Sequence, residues 1–361
     1  MESVIEHSIR SLASDVDFHV VSDTLAADLI PLVVWHRVPT PKRPFSVRFP
    51  WFWVRAARVL SRLDVDVVHV TGALVPNRAH VSSIHFCHAA YIDQSGHLAP
   101  AEYGFIRRLH RGIARVMAVA AERWCFRPAR LRRFAPVSDR VASELATHFP
   151  EIDSTVVPNG VDLDRFRPDA SARSSVRAEL DIDPDAMVLV FVGGDWERKG
   201  LQLIVEAIAA TGRGREFSLI VVGPGDARSV EALARHHGLE GCLQVVGLRP
   251  DPERYLAAAD ALVLATEYET FSLVTYEAAA TGLPVIATNV GGVTDIIDDE
   301  TGSIVDRSVD GVATALEDLL SDPEGWARRG DVARRRAEEF GWDAHASAMR
   351  QVYELVARDV P

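Results

Sequence analysis

Residues Ala265–Thr288 read A-T-E-Y-E-T-F-S-L-V-T-Y-E-A-A-A-T-G-L-P-V-I-A-T. The residues just before them, Ala261–Leu264, form a short apolar run, and a helical pattern begins near Ser272. Glu267–Phe271 is therefore predicted to be a loop joining the C-terminal end of a strand to the N-terminus of a helix, which is where open α/β sheets bind ligands. Glu269 lies before the helix and Glu277 inside it, eight positions apart. The first reaches across the helix mouth while the second projects from a turn further in, so two carboxylates can hold two sets of hydroxyls. Free N–H groups at Phe271, Ser272 and Leu273, with the positive end of the helix dipole, attract an anion. A polyhydroxylated ligand with a phosphate satisfies both features.

Outward from this stretch, the second half of the chain alternates strands with helices. Strands are predicted at Met187–Val192, Phe217–Val222, Leu243–Val246, Ala261–Ala265, Pro284–Ala287 and Ser303–Val305. Helices are predicted near Leu201–Ala210, Ser229–His237, Pro252–Ala258, Ser272–Ala280, Gly311–Ser321 and Glu324–Glu339. This is a doubly wound pattern, and its strand-end loops gather along one edge of the sheet. The first half repeats the theme: a helix over Glu2–Ala13, strands at Phe18–Ser22, Ile30–His36, Val65–Val70, Val81–His85, Arg133–Val137 and Thr155–Val157, and helices at Trp51–Leu63, roughly Glu102–Phe126, and from the Ser138 cap to His148. A turn-rich connector, P-N-G-V-D-L-D-R-F-R-P, follows, and a last helix, Asp343–Arg358, lies beyond a break at Gly341–Trp342. The domains expected are 1–160, 161–341, and a helix in 342–361 returning to the first.

The loop Gly193–Gly200, G-G-D-W-E-R-K-G, places Arg198 and Lys199 beside a helix N-terminus, an end that repels cations unless an anion is to be bound there. Arginine forks two phosphate oxygens and lysine adds a movable charge, so the loop suits a diphosphate. Neither a G-x-x-x-x-G-K-[ST] loop nor a strand-to-helix G-x-G-x-x-G occurs, which disfavours nucleoside triphosphate hydrolysis and NAD binding.

Composition is that of a soluble globular chain, 48% hydrophobic and 25% charged, with no apolar run of bilayer length and no secretory leader pattern; the expected location is the cytoplasm. Three scattered cysteines fit buried small residues rather than a disulfide framework or a zinc site. Residues 1–157 hold 19 Lys+Arg against 15 Asp+Glu, net +4, whereas residues 158–361 carry −16. His36–Leu63 contains seven basic residues (Arg37, Lys42, Arg43, Arg48, Arg55, Arg58, Arg62), no acidic one, and Phe45, Phe49, Trp51, Phe52 and Trp53. That mixture suits a segment lying on an anionic membrane surface; no nucleic-acid-reading motif accompanies it.

Glu269–Glu277 with the following A-A-A-T-G-L-P-V-I-A resembles the E-x7-E signature of glycosyltransferase family 4. Val157–Pro168, the Arg198-Lys199-Gly200 loop, Gly223-Pro224-Gly225, Ala258-Ala259-Asp260 and Asn289–Asp295 resemble further segments of that family. The resemblance implies an α/β GT-B fold: two facing Rossmann-like doubly wound domains, a cleft between them, and a C-terminal helix crossing back to the first. It implies a retaining, metal-independent transfer from a nucleotide-sugar, UDP- or GDP-linked, to a hydroxyl acceptor, with no cofactor. By the resemblance Glu277 binds the donor ribose, Glu269 a hydroxyl of the donor sugar, and Arg198 and Lys199 the diphosphate. Gly193, Gly194, Gly223, Leu248, Thr270, Phe271, Ser272 and Leu273 complete the donor site. Either His85 or His88 matches the family's strand-end histidine that faces the donor sugar. Departures are Thr270 and Ser272 where glycines are common, Gly194 where many members have a phosphate-binding arginine, and Asp295 for a glutamate. Two other expectations stay open: a non-catalytic protein that keeps the nucleotide pocket, and a GT-B nucleotide-sugar epimerase. Family members also open with a strand and a glycine-rich loop before the helix that here begins at Glu2; either an upstream start supplies them, the expectation preferred, or the chain is short and its first domain impaired, which goes with the non-catalytic alternative.

Overall fold

The computed structural model describes residues 2–42, 44–95 and 105–358. The chain forms two compact units, one of Met1–Asn159 with Trp342–Pro361 and one of Gly160–Gly341.

The first unit begins with α1 (Glu2–Leu12), whose Val4, Ile9 and Leu12 are buried at helical spacing. It continues through β1 (Phe18–Ser22), β2 (Val33–Arg37), α2 (Phe45–Leu60), β3 (His69–Thr71), β4 (Ala79–Ile84), α3 (His88–Ser95), α4 (Phe105–Cys125), β5 (Leu131–Pro136), α5 (Asp139–His148) and β6 (Asp153–Ser154). All strand pairs are parallel, in two sheets: β1 with β2, and β3-β4-β5-β6. Among the described residues β1 pairs with β2 alone and β3 with β4 alone, so each has one open edge.

Several boundaries differ from the sequence expectation for physical reasons. Ile30–Leu32 is a 3-10 turn rather than the start of a strand, because Pro31 has no N–H to offer a ladder. The strand predicted from Val65 begins only at His69, after the exposed Asp64 and Asp66. α2 starts at Phe45, six residues before the predicted Trp51, and carries Pro50 within it. Residues 155–157 lie past β6 but still pair beside β5, Thr155 N–H donating to Phe134 O and Val157 N–H to Pro136 O. Arg43 and the start of the helix predicted from Glu102 fall outside the described residues.

The second unit is one six-stranded parallel sheet. Its elements are α6 (Ala170–Glu179), β7 (Met187–Val192), α7 (Leu201–Ala210), β8 (Phe217–Val222), α8 (Ala227–His236), β9 (Leu243–Gly247), α9 (Pro252–Ala258), β10 (Ala261–Leu264), α10 (Leu273–Ala280), β11 (Val285–Thr288), β12 (Gly302–Val305), α11 (Val309–Ser321) and α12 (Pro323–Ala337). The order β12-β11-β10-β7-β8-β9 puts the first strand, β7, in the middle. The winding therefore reverses between β7 and β10. Strands β8, β10 and β11 are wholly buried, as expected of a sheet covered on both faces. Helix α6 has no predicted counterpart, since Val176 is its one buried residue. It is held by charge instead: Asp169 caps its first turn, while Arg173 and Arg177 clamp Asp260 (2.5 and 2.8 Å), which also accepts from Val188 N–H at 2.7 Å.

The last helix, α13 (Trp342–Arg358), packs on the first unit. Its Ala346, Met349, Val352 and Val356 share a core with Leu12, Val81, Ala135 and Val157, and Phe18 of β1 lies against the same cluster. Polar anchors fix it in place: His345 bonds Ser8 Oγ and Pro158 O, both at 2.7 Å, and Tyr353 Oη meets His69 Nδ1 at 2.7 Å.

Candidate functional site

In the second unit the winding reverses between β7 and β10, so the loops after these two strands lie side by side at the carboxyl ends of the sheet, the place where open α/β sheets bind ligands. The sequence fixes the first loop tightly. Gly200 has φ +76°, and a Cβ there would lie 2.2 Å from Ala265 O, so only glycine lets the loop meet the end of β10. Gly223, at φ +131°, similarly lets its loop press on Gly193, whose carbonyl oxygen a Cβ would approach to 2.2 Å. Gly194 meets only ordinary contacts with Pro224, so space does not require a glycine there.

These contacts bring Arg198, Lys199 and Glu269 together. Lys199 Nζ lies 3.0 Å and Arg198 Nη1 3.4 Å from Glu269 Oε1, and Arg198 also pairs with Asp195 at 3.0 Å and donates to Tyr268 O. Burial alone would lower the Arg198 pKa, but the carboxylates of Glu269 and Asp195 turn the shift upward and hold its charge. Glu267 N–H donates to Arg198 O at 2.9 Å, tying the two loops. The glutamate expected to meet a sugar hydroxyl thus rests on the two cations expected to meet the diphosphate.

Helix α10 starts at Leu273, one residue later than predicted, with Ser272 as an N-cap whose side chain bonds Thr275 Oγ1 instead of a backbone amide. The expectation that Leu273 N–H is free is corrected: it donates to Phe271 O at 2.9 Å. The loop Asn289–Thr294 supports the Glu269–Phe271 loop from below. Gly291 N–H donates to Glu269 O at 3.1 Å, and Tyr276, stacked on Phe271 at 4.3 Å, donates to Gly292 O. Glu277, half-buried on α10, has its pKa pushed up to about 7 by desolvation, against the pull of Arg165 and Lys199. Leu248, just past β9, is 77% exposed, an apolar side chain available to a flat ring.

His85 and His88 stand in the first unit, after β4 and at the start of α3. Burial depresses both pKa values to about 4, with Arg115 adding to the shift at His88, so both imidazoles are neutral at pH 7. His88 Nδ1 is buried without a hydrogen-bond partner among the described residues. Its backbone is set by Glu122 of α4, whose carboxylate accepts His88 N–H at 2.8 Å and Ala89 N–H at 3.0 Å.

Three supporting residues escaped sequence reasoning. Glu122 left a signal, being the single acid in the Arg-rich helix α4. Trp196, which donates to Gly193 O at 3.0 Å, and Arg307, which reaches Ala265 O at 3.1 Å from the loop after β12, left none because their partners are backbone carbonyls. Among the described residues no cluster of His, Cys, Asp or Glu suits a metal ion.

The chain is similar to proteins of known family in both halves. The family model "Glycosyltransferase Family 4" matches residues 1–165, and "Glycosyl transferases group 1" matches residues 186–322. Curated relatives include D-inositol 3-phosphate glycosyltransferases of Streptomyces avermitilis (36% identical, 59% of this chain and 49% of the relative) and Xylanimonas cellulosilytica (37%, 57% and 52%). The chain spans about half the length of these relatives. Solved structures with the same fold include sucrose-phosphate synthase from Thermosynechococcus elongatus (TM-score 0.76, 22% identity, 98% of this chain and 92% of that one). WaaG, a glycosyltransferase involved in lipopolysaccharide biosynthesis, is another (0.74, 22%, 96% and 93%), and HepE from Anabaena in complex with UDP-glucose a third (0.71, 15%, 99% and 95%). With both halves matched by glycosyltransferase models, and two parallel α/β units folded as in GT-B structures, the chain belongs to glycosyltransferase family 4.

Proposed function

We propose that this protein is a retaining glycosyltransferase that moves a sugar from a nucleotide-sugar to a hydroxyl acceptor, without a metal ion. The observation that carries the reading is the Lys199–Glu269–Arg198 cluster at the reversal of winding, with half-buried Glu277 further along α10. An anionic diphosphate entering there competes with Glu269 for two cations and frees its carboxylate to accept from a sugar hydroxyl. Glu277 accepts from the ribose and Leu248 covers the base. Breaking the sugar–phosphate bond places negative charge on the departing diphosphate, and preformed cations stabilise that charge most. Neutral His85 or His88 is proposed to face the donor sugar. Relatives named for glycosyl transfer to D-inositol 3-phosphate, and structural neighbours solved with UDP and UDP-glucose, support a nucleotide-sugar donor. The deciding experiment measures donor consumption over a panel of UDP- and GDP-sugars with hydroxyl acceptors. Lys199→Ala is expected to lower turnover by ~10²–10³, the cost of losing one donor to a developing anion. Full activity in the Arg198→Ala/Lys199→Ala double variant would sink the reading.

One observation favours a second reading, a non-catalytic nucleotide-sugar binder: the parallel layer of the first unit is in two pieces. Binding of a nucleoside diphosphate with no turnover of any sugar donor decides for it.

The protein is further proposed to work in the cytoplasm against the membrane surface. No described helix is long and apolar enough to cross a membrane. On α2, however, Val47, Trp51 and Val54 are exposed along one face, near Phe45 and beside Arg48, Arg55 and Arg58. Basic residues with exposed apolar ones on one helix suit an anionic lipid interface.

A further inference from the structure

The loop between β7 and α7 holds an acid that sits badly with its proposed task. Gly193–Gly200 brings Arg198 and Lys199 to an anion, yet Asp195 stands among them. Its backbone is unfavourable as well: Asp195 has φ +52°, one of two non-glycine residues with positive φ among the described residues. Aspartate enters that left-handed region more readily than most side chains, but glycine does so without penalty, and Gly193 and Gly194 come immediately before it. A glycine at 195 would relieve the backbone and remove a negative charge from an anion site. What the aspartate supplies instead is visible in its bonds. Its carbonyl accepts Lys199 N–H at 3.0 Å, and its carboxylate accepts from Arg198 Nε, also at 3.0 Å.

An exposed ion pair of this kind adds little stability. Asp195 is 60% exposed, so the effect of the pair lies in where it holds the guanidinium. Arg198 Nη1 donates to Tyr268 O and lies 3.4 Å from Glu269 Oε1. With Nε on Asp195, the planar fork is fixed at two of its nitrogens, and Nη2 has no hydrogen-bond partner among the described residues. Lys199 is placed separately: its stem crosses Gly193, where a Cβ would lie 2.5 Å from Lys199 Cδ. Lys199 faces Glu269 at 3.0 Å and pulls on Glu277. Those two glutamates each have a proposed ligand hydroxyl to accept from once a donor enters. Asp195 has none, and stays on Nε.

We propose that Asp195 is a positioning residue for sugar transfer: it holds Arg198 so that Nη2 is the donor left for the diphosphate, at the expense of some affinity for that anion. The inference rests on the transferase reading of the same site. A hydrogen-bond donor already fixed where charge develops needs no reorganisation as the sugar–phosphate bond breaks, so the gain falls on turnover. The carboxylate meanwhile repels free and leaving nucleoside diphosphate alike, so the loss falls on binding.

The test compares Asp195→Gly and Asp195→Asn in the full chain, by turnover of UDP- and GDP-sugars, calorimetric titration with UDP and GDP, and thermal melts. Asp195→Gly keeps the backbone and removes the anchor; relief of the left-handed conformation offsets the greater freedom of the unfolded chain, so its melting temperature is expected to hold. Its kcat should fall about tenfold or more while nucleoside diphosphate binds at least as tightly as in the wild type, a split that a merely structural role would not give. Asparagine tolerates the same backbone and offers an amide oxygen to Nε, so Asp195→Asn should recover part of the lost turnover. In an Arg198→Ala background Asp195→Gly should add no further loss, since it acts through that guanidinium. An undiminished kcat in Asp195→Gly, a loss of turnover matched by equal losses of diphosphate affinity or melting temperature, or a full additional loss in the Arg198→Ala background overturns the proposal. Absence of turnover in the wild type sinks the transferase reading and this inference with it, whereas turnover shared equally by wild type and Asp195→Gly sinks the inference alone.

Discussion

At the scale of single residues, the Glu269 carboxylate is the pivot, because it pairs with both Arg198 and Lys199, the two cations proposed to hold the donor diphosphate. Glu269→Gln removes that competition, so free nucleoside diphosphate should bind about tenfold more tightly while sugar transfer falls, the opposite of what removing a simple binding contact does. Titration of both quantities in one variant checks this. Glu277, at about 7, gives a second signature. If its ionised form accepts from the ribose, donor affinity should rise as pH climbs from 6 to 8 and lose that dependence in Glu277→Gln; a pH-independent wild-type affinity would remove it from the ribose. Gly200→Ala forces a Cβ into Ala265 O at φ +76° and should cost roughly 2 kcal/mol or more of stability, read by denaturant titration. The sequence told much at this scale: Arg198, Lys199, Glu269 and Glu277 are named by spacing and charge. What it could not tell is that the first three form one cluster, because that contact joins residues 70 positions apart through a glycine whose need for φ > 0 appears only in three dimensions.

At the scale of elements, the second unit was legible because its strands are continuous apolar runs broken by glycine loops, and its errors are of one or two residues. Helix α6 was invisible because arginines and not an apolar stripe hold it, and α3 because its N-terminal amides are satisfied by Glu122, far along the chain. These same buried ionisable groups make the two units respond oppositely to pH. His85 and His88, at about 4 in the folded state against an ordinary 6.5, and His345, shifted the same way, bind protons more readily when unfolded. Their contribution is complete above pH 6.5 and is lost as pH falls toward 4, about 1–3 kcal/mol for each of His85 and His88. Glu122, pushed up to about 7, works against them, but three histidines brought down to about 4 by burial, His69 with His85 and His88, outweigh one glutamate. In the second unit Glu277, also near 7, reverses the sign: the folded state holds the proton more tightly, so stability declines as pH rises from 4.5 to 7. Melting followed by probes in each unit should show the first unit weakening in acid while the second strengthens. Parallel shifts in both would refute the assignment. For α2, flotation on anionic vesicles at low salt should be lost in Trp51→Ala, whose exposed ring is part of the apolar face.

At the scale of the whole molecule, the division between units also divides charge and chemistry: a sequence net +4 through residue 157 precedes a half at −16. The acidic half holds the Lys199–Glu269–Arg198 cluster, proposed to meet a diphosphate, and the basic half the exposed apolar face of α2. The helix that ends the chain belongs to the first unit, with His345 and Tyr353 as its polar rivets. A broken anchor should therefore be felt in the first unit: Tyr353→Phe, which deletes the His69 contact and keeps the ring, should lower that unit's melting midpoint by a few degrees, a loss of about 1 kcal/mol. The open edges of β1 and β3 bear on colloidal behaviour. Unpaired strand edges are templates on which another chain can add a strand. Phe18–Ser22 and His69–Thr71 each keep one edge unpaired among the described residues, so a further strand, from this protein or another, can add there, while Met187–Val192, paired on both sides, is closed to one. Deuterium uptake at those backbone amides should therefore run ahead of uptake in Met187–Val192.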